Sequence, residues 1–186
     1  MSFYPEDAPV PAELKTAEFV LRPLTTGHVE LDHAALMDSK EMLRRWSSSD
    51  WPTDDFTVAD NRQDLAWHQR EHEEGIAFTY TVLDPGESKC LGCVYVKETN
   101  VPGLAGSDYT ALVRFWVRQS HLANGLDRRL LKALIAWFKE AWAFSHVYFH
   151  TNVQDHHQVQ LLDASPLPYR VTAIIPNRSD RYRFYG

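Results

Sequence analysis

A chain of 186 residues, 44% hydrophobic and with six Trp, is long enough for one domain with a substantial core and short for two. Its 25 acidic and 19 basic residues leave a formal charge of −6, which argues against a general binder of nucleic acid or anionic membrane, since both depend on neutralising phosphate. No apolar run approaches the length of a membrane span. The opening MSFYPEDAPVPAELK is acidic and lacks an apolar core, so residues 1–17 read as a loose arm on a cytoplasmic protein and not as a signal peptide or anchor.

In chain order, FVLRPL (19–24) alternates as a short strand, and TTGHVELDHAALMDSKEMLRRW follows with helical spacing, Thr25 or Thr26 supplying the cap. SSSDWPTDDFT is a loop, and VADNRQDLAWHQREHEEG is a helix closed by Gly75. AFTYTVLD and CLGCVYVKE are strands joined by a hairpin turn at Asp-Pro-Gly. Cys90 and Cys93, three apart in a strand, are expected on opposite faces as buried thiols, badly placed for a shared metal or a disulfide. YTALVRFWV is aromatic and β-branched enough for a central strand. A polar turn and a long amphipathic helix come next. HVYFHTN (strand), VQDHHQVQLLDA (short helix), YRVTAIIP and RYRFY (strands) complete the chain.

The turn, QSHLANG, carries the strongest chemical signal. A strand that ends where a helix begins gathers backbone N–H groups and the positive helix end at one spot, the ordinary geometry of an anion site. Asn124 is expected to cap the helix, with Asp127 returning a hydrogen bond to the cap's amide, and Gly125 allows close backbone approach. Arg118, Arg128, Arg129 and Lys132 surround this helix start in an otherwise acidic protein, consistent with a polyanionic ligand. A capped helix with a solvated basic face is the plainer alternative.

The element order with this turn resembles the GNAT superfamily of acyl-CoA-dependent N-acyltransferases, from about residue 18 onward. The family's pattern at the turn is Arg/Gln-x-x-Gly-x-Gly/Ala; LANGLD supplies Gly125, with Leu122 and Asp127 in place of the usual residues. The resemblance implies an α/β (α+β) fold: a mixed, mostly antiparallel twisted sheet of six to seven strands with helices on both faces, in one domain over 18–186. It implies that acetyl-CoA or another acyl-CoA is the co-substrate, without a metal, and that a small-molecule or peptide amine accepts the acyl group. Ala123, Asn124, Gly125, Leu126, Asp127, Arg128 and Arg129 would meet the pyrophosphate. Phe115, Trp116, Val117 and Arg118, with Asn152 after the next strand, would flank the pantetheine arm. The Val117 N–H would face the oxyanion. Glu98 and Asp108 are candidate bases. The family's acid, a Tyr on the short helix, is replaced by Leu161, which leaves a catalytically silent acyl-CoA-binding or sensing domain as the alternative.

On the acceptor side the resemblance points to the loop holding Trp46, Trp51, Asp54, Asp55 and Phe56, an aromatic and acidic rim suited to a cation. A rival motif is HQREH at His68 and His72, the H-x-x-E-H zinc pattern of inverted zincins, with Glu140 as a conceivable third ligand. Against it, both His are expected on the polar side of a short amphipathic helix.

Overall fold

The apolar runs pair into one sheet of eight strands, in the order β1-β2-β3-β4-β5-β6-β8-β7. In the computed structural model, which describes residues 3–99, 101, 103–104, 109–176 and 178–186, the strands are β1 Leu14–Lys15, β2 Val20–Pro23, β3 Ala77–Leu83, β4 Cys90–Glu98, β5 Thr110–Val117, β6 His146–Asn152, β7 Tyr169–Ile174 and β8 Arg181–Tyr185. Neighbours are antiparallel except β5 and β6, which run parallel with α4 (Leu126–Ala141) between them in the chain. The other helices are α1 Val29–Asp38, α2 Lys40–Ser47, α3 Val58–Glu73 and α5 His156–Asp163.

Side-chain alternation on the strands creates two cores. Leu130, Leu134, Trp137 and Phe138 of α4 pack on Phe78, Tyr80, Val113 and Phe115. On the opposite face Leu36, Leu43, Trp46 and Leu65 of α1, α2 and α3 pack on Leu83, Cys93 and Trp116. α3 opens with a reciprocal cap: Thr57 Oγ1 accepts from the Asp60 N–H at 3.1 Å, and Asp60 Oδ2 accepts from the Thr57 N–H at 2.9 Å. Such caps contribute about 1 kcal/mol.

Four expectations change. The sheet has eight strands because Leu14 and Lys15 add a short edge to β2. The arm is not loose over its whole length: Phe3 and Tyr4 are buried, Phe3 stacking on Phe78 and Tyr4 packing edge-on against Trp142 and Phe144. Apolar side chains in an acidic, Pro-bearing segment are easily read as solvated, but a hydrophobic slot under the α4–β6 connection receives them. The single helical run over 25–46 breaks at Ser39, whose buried Oγ accepts from the Gln119 N–H at 3.0 Å. Cys90 and Cys93 lie in the same core, because the register steps from Val82↔Gly92 to Leu83↔Cys90 and the extra residue, Leu91, turns the alternation over. Gly92 belongs to this bulge; a Cβ there would overlap the Trp116 carbonyl oxygen.

Candidate active site

The parallel pairing of β5 with β6 runs from Thr110↔His146 to Val113↔Phe149 and stops, although β5 continues to Val117 and β6 to Asn152. The two strands splay there. The Arg118 N–H donates to the Leu91 carbonyl on the β4 side at 2.7 Å, so by alternation Phe115 and Val117 turn their backbone groups into the opening. The Phe115 carbonyl is already engaged: Trp46 Nε1 donates to it at 2.9 Å and Gln158 Nε2 at 2.8 Å.

On the α4 side the splay leads to a trough between α4 and α5, with adjoining cavities of about 480 Å³ beside Gly125 and Arg128 and about 330 Å³ beside Met42 and Gln158. Gly125, with φ 73°, is the residue preceding the first helical one, in place of the expected Asn124. Asn124 Oδ1 accepts from the Leu126 N–H at 3.2 Å. Asp127 therefore sits one position earlier in the helix than expected. Its buried carboxylate accepts from the Arg128 N–H at 2.8 Å and lies 2.6 Å from His157 Nε2 across the trough. Arg129 pairs with Glu18, and Arg118 with Asp38, each at 2.8 Å. The Arg118 guanidinium is the main reason the Asp38 carboxyl is held below its ordinary range. Arg128 and Lys132 are exposed along the rim.

On the opposite face a cavity of about 340 Å³ opens against β4 and β5, walled by Trp46, Trp51, Trp67, Tyr95, His68, Arg114 and His150. Tyr95 stands opposite Arg114 in the β4–β5 register, and its hydroxyl accepts from Trp116 Nε1 at 3.2 Å. Burial holds the Tyr95 phenol well above its ordinary value, and burial lowers His68 below 6.5, so at neutral pH the first is protonated and the second neutral. His68 Nδ1 lies 3.4 Å from Thr79 Oγ1 and 3.4 Å from Glu71 Oε2.

The sequence identifies the family to which this arrangement belongs: a family model described as the acetyltransferase (GNAT) family matches residues 40–164. The chain belongs to the GNAT acetyltransferase family. No curated sequence matches it. Similar solved structures include the microcin C7 self-immunity acetyltransferase MccE in complex with acetyl-CoA and AMP, with a TM-score of 0.75 at 13% identity over 95% of this chain and 96% of that one. The RimL ribosomal L7/L12 alpha-N-protein acetyltransferase in complex with coenzyme A has a TM-score of 0.72 at 14% identity, covering 95% of each chain. Spermidine N-acetyltransferase from Vibrio cholerae, in complex with CoA and spermine, has a TM-score of 0.64 at 13% identity over 91% of this chain and 95% of that one.

Within this GNAT fold the residues singled out from sequence fall into distinct places. Ala123, Asn124, Gly125, Asp127, Arg128 and Arg129 border the trough, whereas the Leu126 side chain is buried under α4. Val117 reaches the splay through its backbone; the Trp116 side chain is buried on the other face. Asn152 is fully buried at the end of β6, where its side chain donates to Ser48 Oγ and accepts from the Gln154 N–H at 2.8 Å. Trp46, Trp51 and Glu98 line the cavity against β4 and β5. Asp54 lies outside it in an exposed pair with Lys40 at 2.6 Å and Arg44 at 2.9 Å, Asp55 is exposed, and Phe56 packs edge-on against Trp51. Asp108 lies outside the described residues.

His68 and His72 are not on a solvated face. His72 packs edge-on against Phe78 and Tyr80, His68 stacks on Trp67, and Glu140 is exposed on α4 across the sheet. Among the described residues no group of three or more His, Cys, Asp or Glu is placed to hold a metal ion. Arg114, His150, Arg178, Tyr95 and Gln158 belong to no site motif in the sequence, and His157, in DHHQ, reads there only as one of two adjacent His with no spaced partner. An Arg inside the apolar run YTALVRFWV was the available signal for the first.

Proposed function

We propose that this protein transfers an acetyl or other acyl group from CoA to an amine. The observation that carries this reading is the β5–β6 splay, open to the trough on one face and to the aromatic cavity on the other, so that donor and acceptor can approach one point from opposite sides. The N–H groups of Ala123, Asn124 and Asp127, with the Arg128 and Lys132 side chains, would hold the CoA phosphates, and its thioester supplies the acyl group. The Val117 N–H, turned into the splay, would stabilise the oxyanion, a contribution of about 10²–10³ in rate where such donors have been removed. His68 is the base that fits best: it is neutral, walls the acceptor cavity, and has Nε2 left for the amine's proton when Nδ1 faces Glu71 and Thr79. Glu98 lines the same cavity and is the second candidate. The leaving thiolate takes its proton from water, because burial holds the Tyr95 phenol well above its ordinary value and keeps its proton in place.

The silent-domain reading is favoured by one specific observation, the two side chains already bonded to the Phe115 carbonyl. Incubation with acetyl-CoA and a panel of amines, followed by free thiol and product mass, separates the two. Thiol and acetylated amine in equal amounts support transfer; CoA binding without turnover across the panel supports the silent domain.

A further inference from the structure

The acceptor cavity holds a cationic wall with which no carboxylate of the described residues forms an ion pair; Asp155 acts on Arg114 only through space. Arg114 is 8% exposed, and its Nε and one Nη atom are buried without a hydrogen-bond partner among the described residues. Its guanidinium lies 3.7 Å over the Trp46 ring, which supports the charge but satisfies no N–H. Beside it, Arg178 donates to the Tyr182 hydroxyl at 3.1 Å and approaches the Ser47 carbonyl at 3.4 Å, both neutral acceptors. His150, between them, has a buried Nδ1 with no partner, and it is kept neutral by burial and then by the two guanidiniums. Desolvation pushes Arg114 down to about 10, which still leaves it charged at neutral pH. The cavity's own carboxylates, Asp64 and Glu98, make no ion pair with either Arg.

Buried guanidinium donors are normally matched by a carboxylate or phosphate, because an unmatched one keeps the full desolvation cost. Arg114 and His150 are also the first residues beyond the last β5–β6 pair, so the unmatched donors stand at the mouth of the splay. We infer that the acceptor is a compact amine carrying its own anionic group, a carboxylate or a phosphate, which Arg114 and Arg178 hold while Trp46 and Trp51 cover its carbon frame. This rests on the acyl-transfer reading and specifies its acceptor. The amine and the anion must be only a few bonds apart, since the anion site adjoins the point of attack. An amine at the end of a long chain, remote from any carboxylate, would leave the guanidiniums unmatched.

The test has two arms. With CoA saturating, so that the trough is filled, phosphate and acetate are each titrated against chloride at constant ionic strength while the melting temperature is followed. A saturable stabilisation is expected in the wild type, absent in Arg114→Met and at least about fivefold weaker in Arg178→Gln, which lies at the exposed rim and keeps the test open if the first variant folds poorly. The stronger of the two anions identifies the group. No saturable response, or the same response in both variants, overturns the inference. In the second arm acetylation is compared for matched pairs, phenethylamine with phenylalanine and ethanolamine with O-phosphoethanolamine. The anionic member of at least one pair is expected to be preferred about tenfold or more in kcat/KM, with Arg178→Gln removing the preference through KM. Preference for the neutral members, or a loss in kcat shared equally by both members, overturns it; the shared loss would place the guanidinium on the oxyanion. The titration is repeated without CoA, so that failure of CoA to bind overturns the transfer reading alone.

Discussion

The two sides of the splay are built on opposite principles. On the α4 side nearly every polar group has found a partner within the chain: Asp127 holds the Arg128 N–H and His157, Asn124 the Leu126 N–H, Arg129 pairs with Glu18, and Gln158 donates to the Phe115 carbonyl. On the other side Arg114 and His150 keep buried donors and acceptors unmatched. A ligand entering the first side must exchange bonds that already exist, and gains only the difference. One entering the second releases a desolvation cost the fold already carries, so the second side should contribute more of the selectivity.

The largest effect tests the point between the two sides. Val117→Pro removes the N–H aimed into the splay without removing a bond to β4, and kcat should fall about 10²–10³-fold with little change in CoA affinity. An equal loss of CoA binding would mean that the strand had moved. His68→Gln should lower kcat by about 10²-fold. In the wild type the rate should fall as pH drops through the lowered His68 value, below 6.5, with Glu71, Asp64, Lys97 and Tyr95 facing the ring; the variant should lose that limb of the pH profile. A limb that persists would move the base to Glu98.

Stability should rise on one side only. Arg114→Met replaces an unmatched buried charge with an apolar side chain of similar length and should raise stability by about 1–4 kcal/mol, read as the free energy of urea unfolding. Asp127→Asn should leave stability lower or unchanged, because His157 is largely exposed and the pair is screened. The same change should tighten CoA binding by about tenfold at low salt and by less at high salt. Unchanged CoA affinity would show that phosphate passes clear of this turn.

The smallest effect concerns His150. Burial, then Arg114 and Arg178, hold it well below 6.5, so the unfolded chain takes up this proton before the folded chain does. Its contribution is complete above pH 6.5 and is lost as pH falls below that value, by up to about 1.4 kcal/mol per unit. Asp32, pushed up to about 6 by burial, opposes this, costing stability as pH rises from its ordinary value toward 6. The informative quantity is therefore the difference between the wild type and His150→Gln, which should grow as pH falls from 7 to 5.

Apolar alternation and helical spacing placed β3 to β8 and α3 and α4 within a residue or two, and α5 with its start three residues early, because those elements bury one stripe or face and the sequence records which. What escaped depends on contacts between segments far apart in the chain. The break at Ser39 is fixed by the Gln119 amide, 80 positions later, and the seating of Phe3 and Tyr4 by Trp142 and Phe144. The bulge at Leu91 adds one residue to a pattern of period two, and a run as apolar as CLGCVYV does not show it. The site divided the same way. The turn at Gly125 was legible from local chemistry, whereas the meeting of Arg114, His150 and Arg178 requires β5, β6 and the segment after β7 to be assembled first.

That bulge gives the protein a clock. It turns both thiols into the core beneath α1 and α2, each fully buried, with Cys90 pushed up to about 12 and Cys93 well above its ordinary value. Neither sulfur can react with an aromatic disulfide reagent while β4 stays in the middle of the sheet. In the native protein the colour from such a reagent therefore counts only released CoA. With acetyl-CoA absent, the slow appearance of two thiols per chain times the opening of the sheet, and its rate under native conditions converts directly into the free energy of that opening.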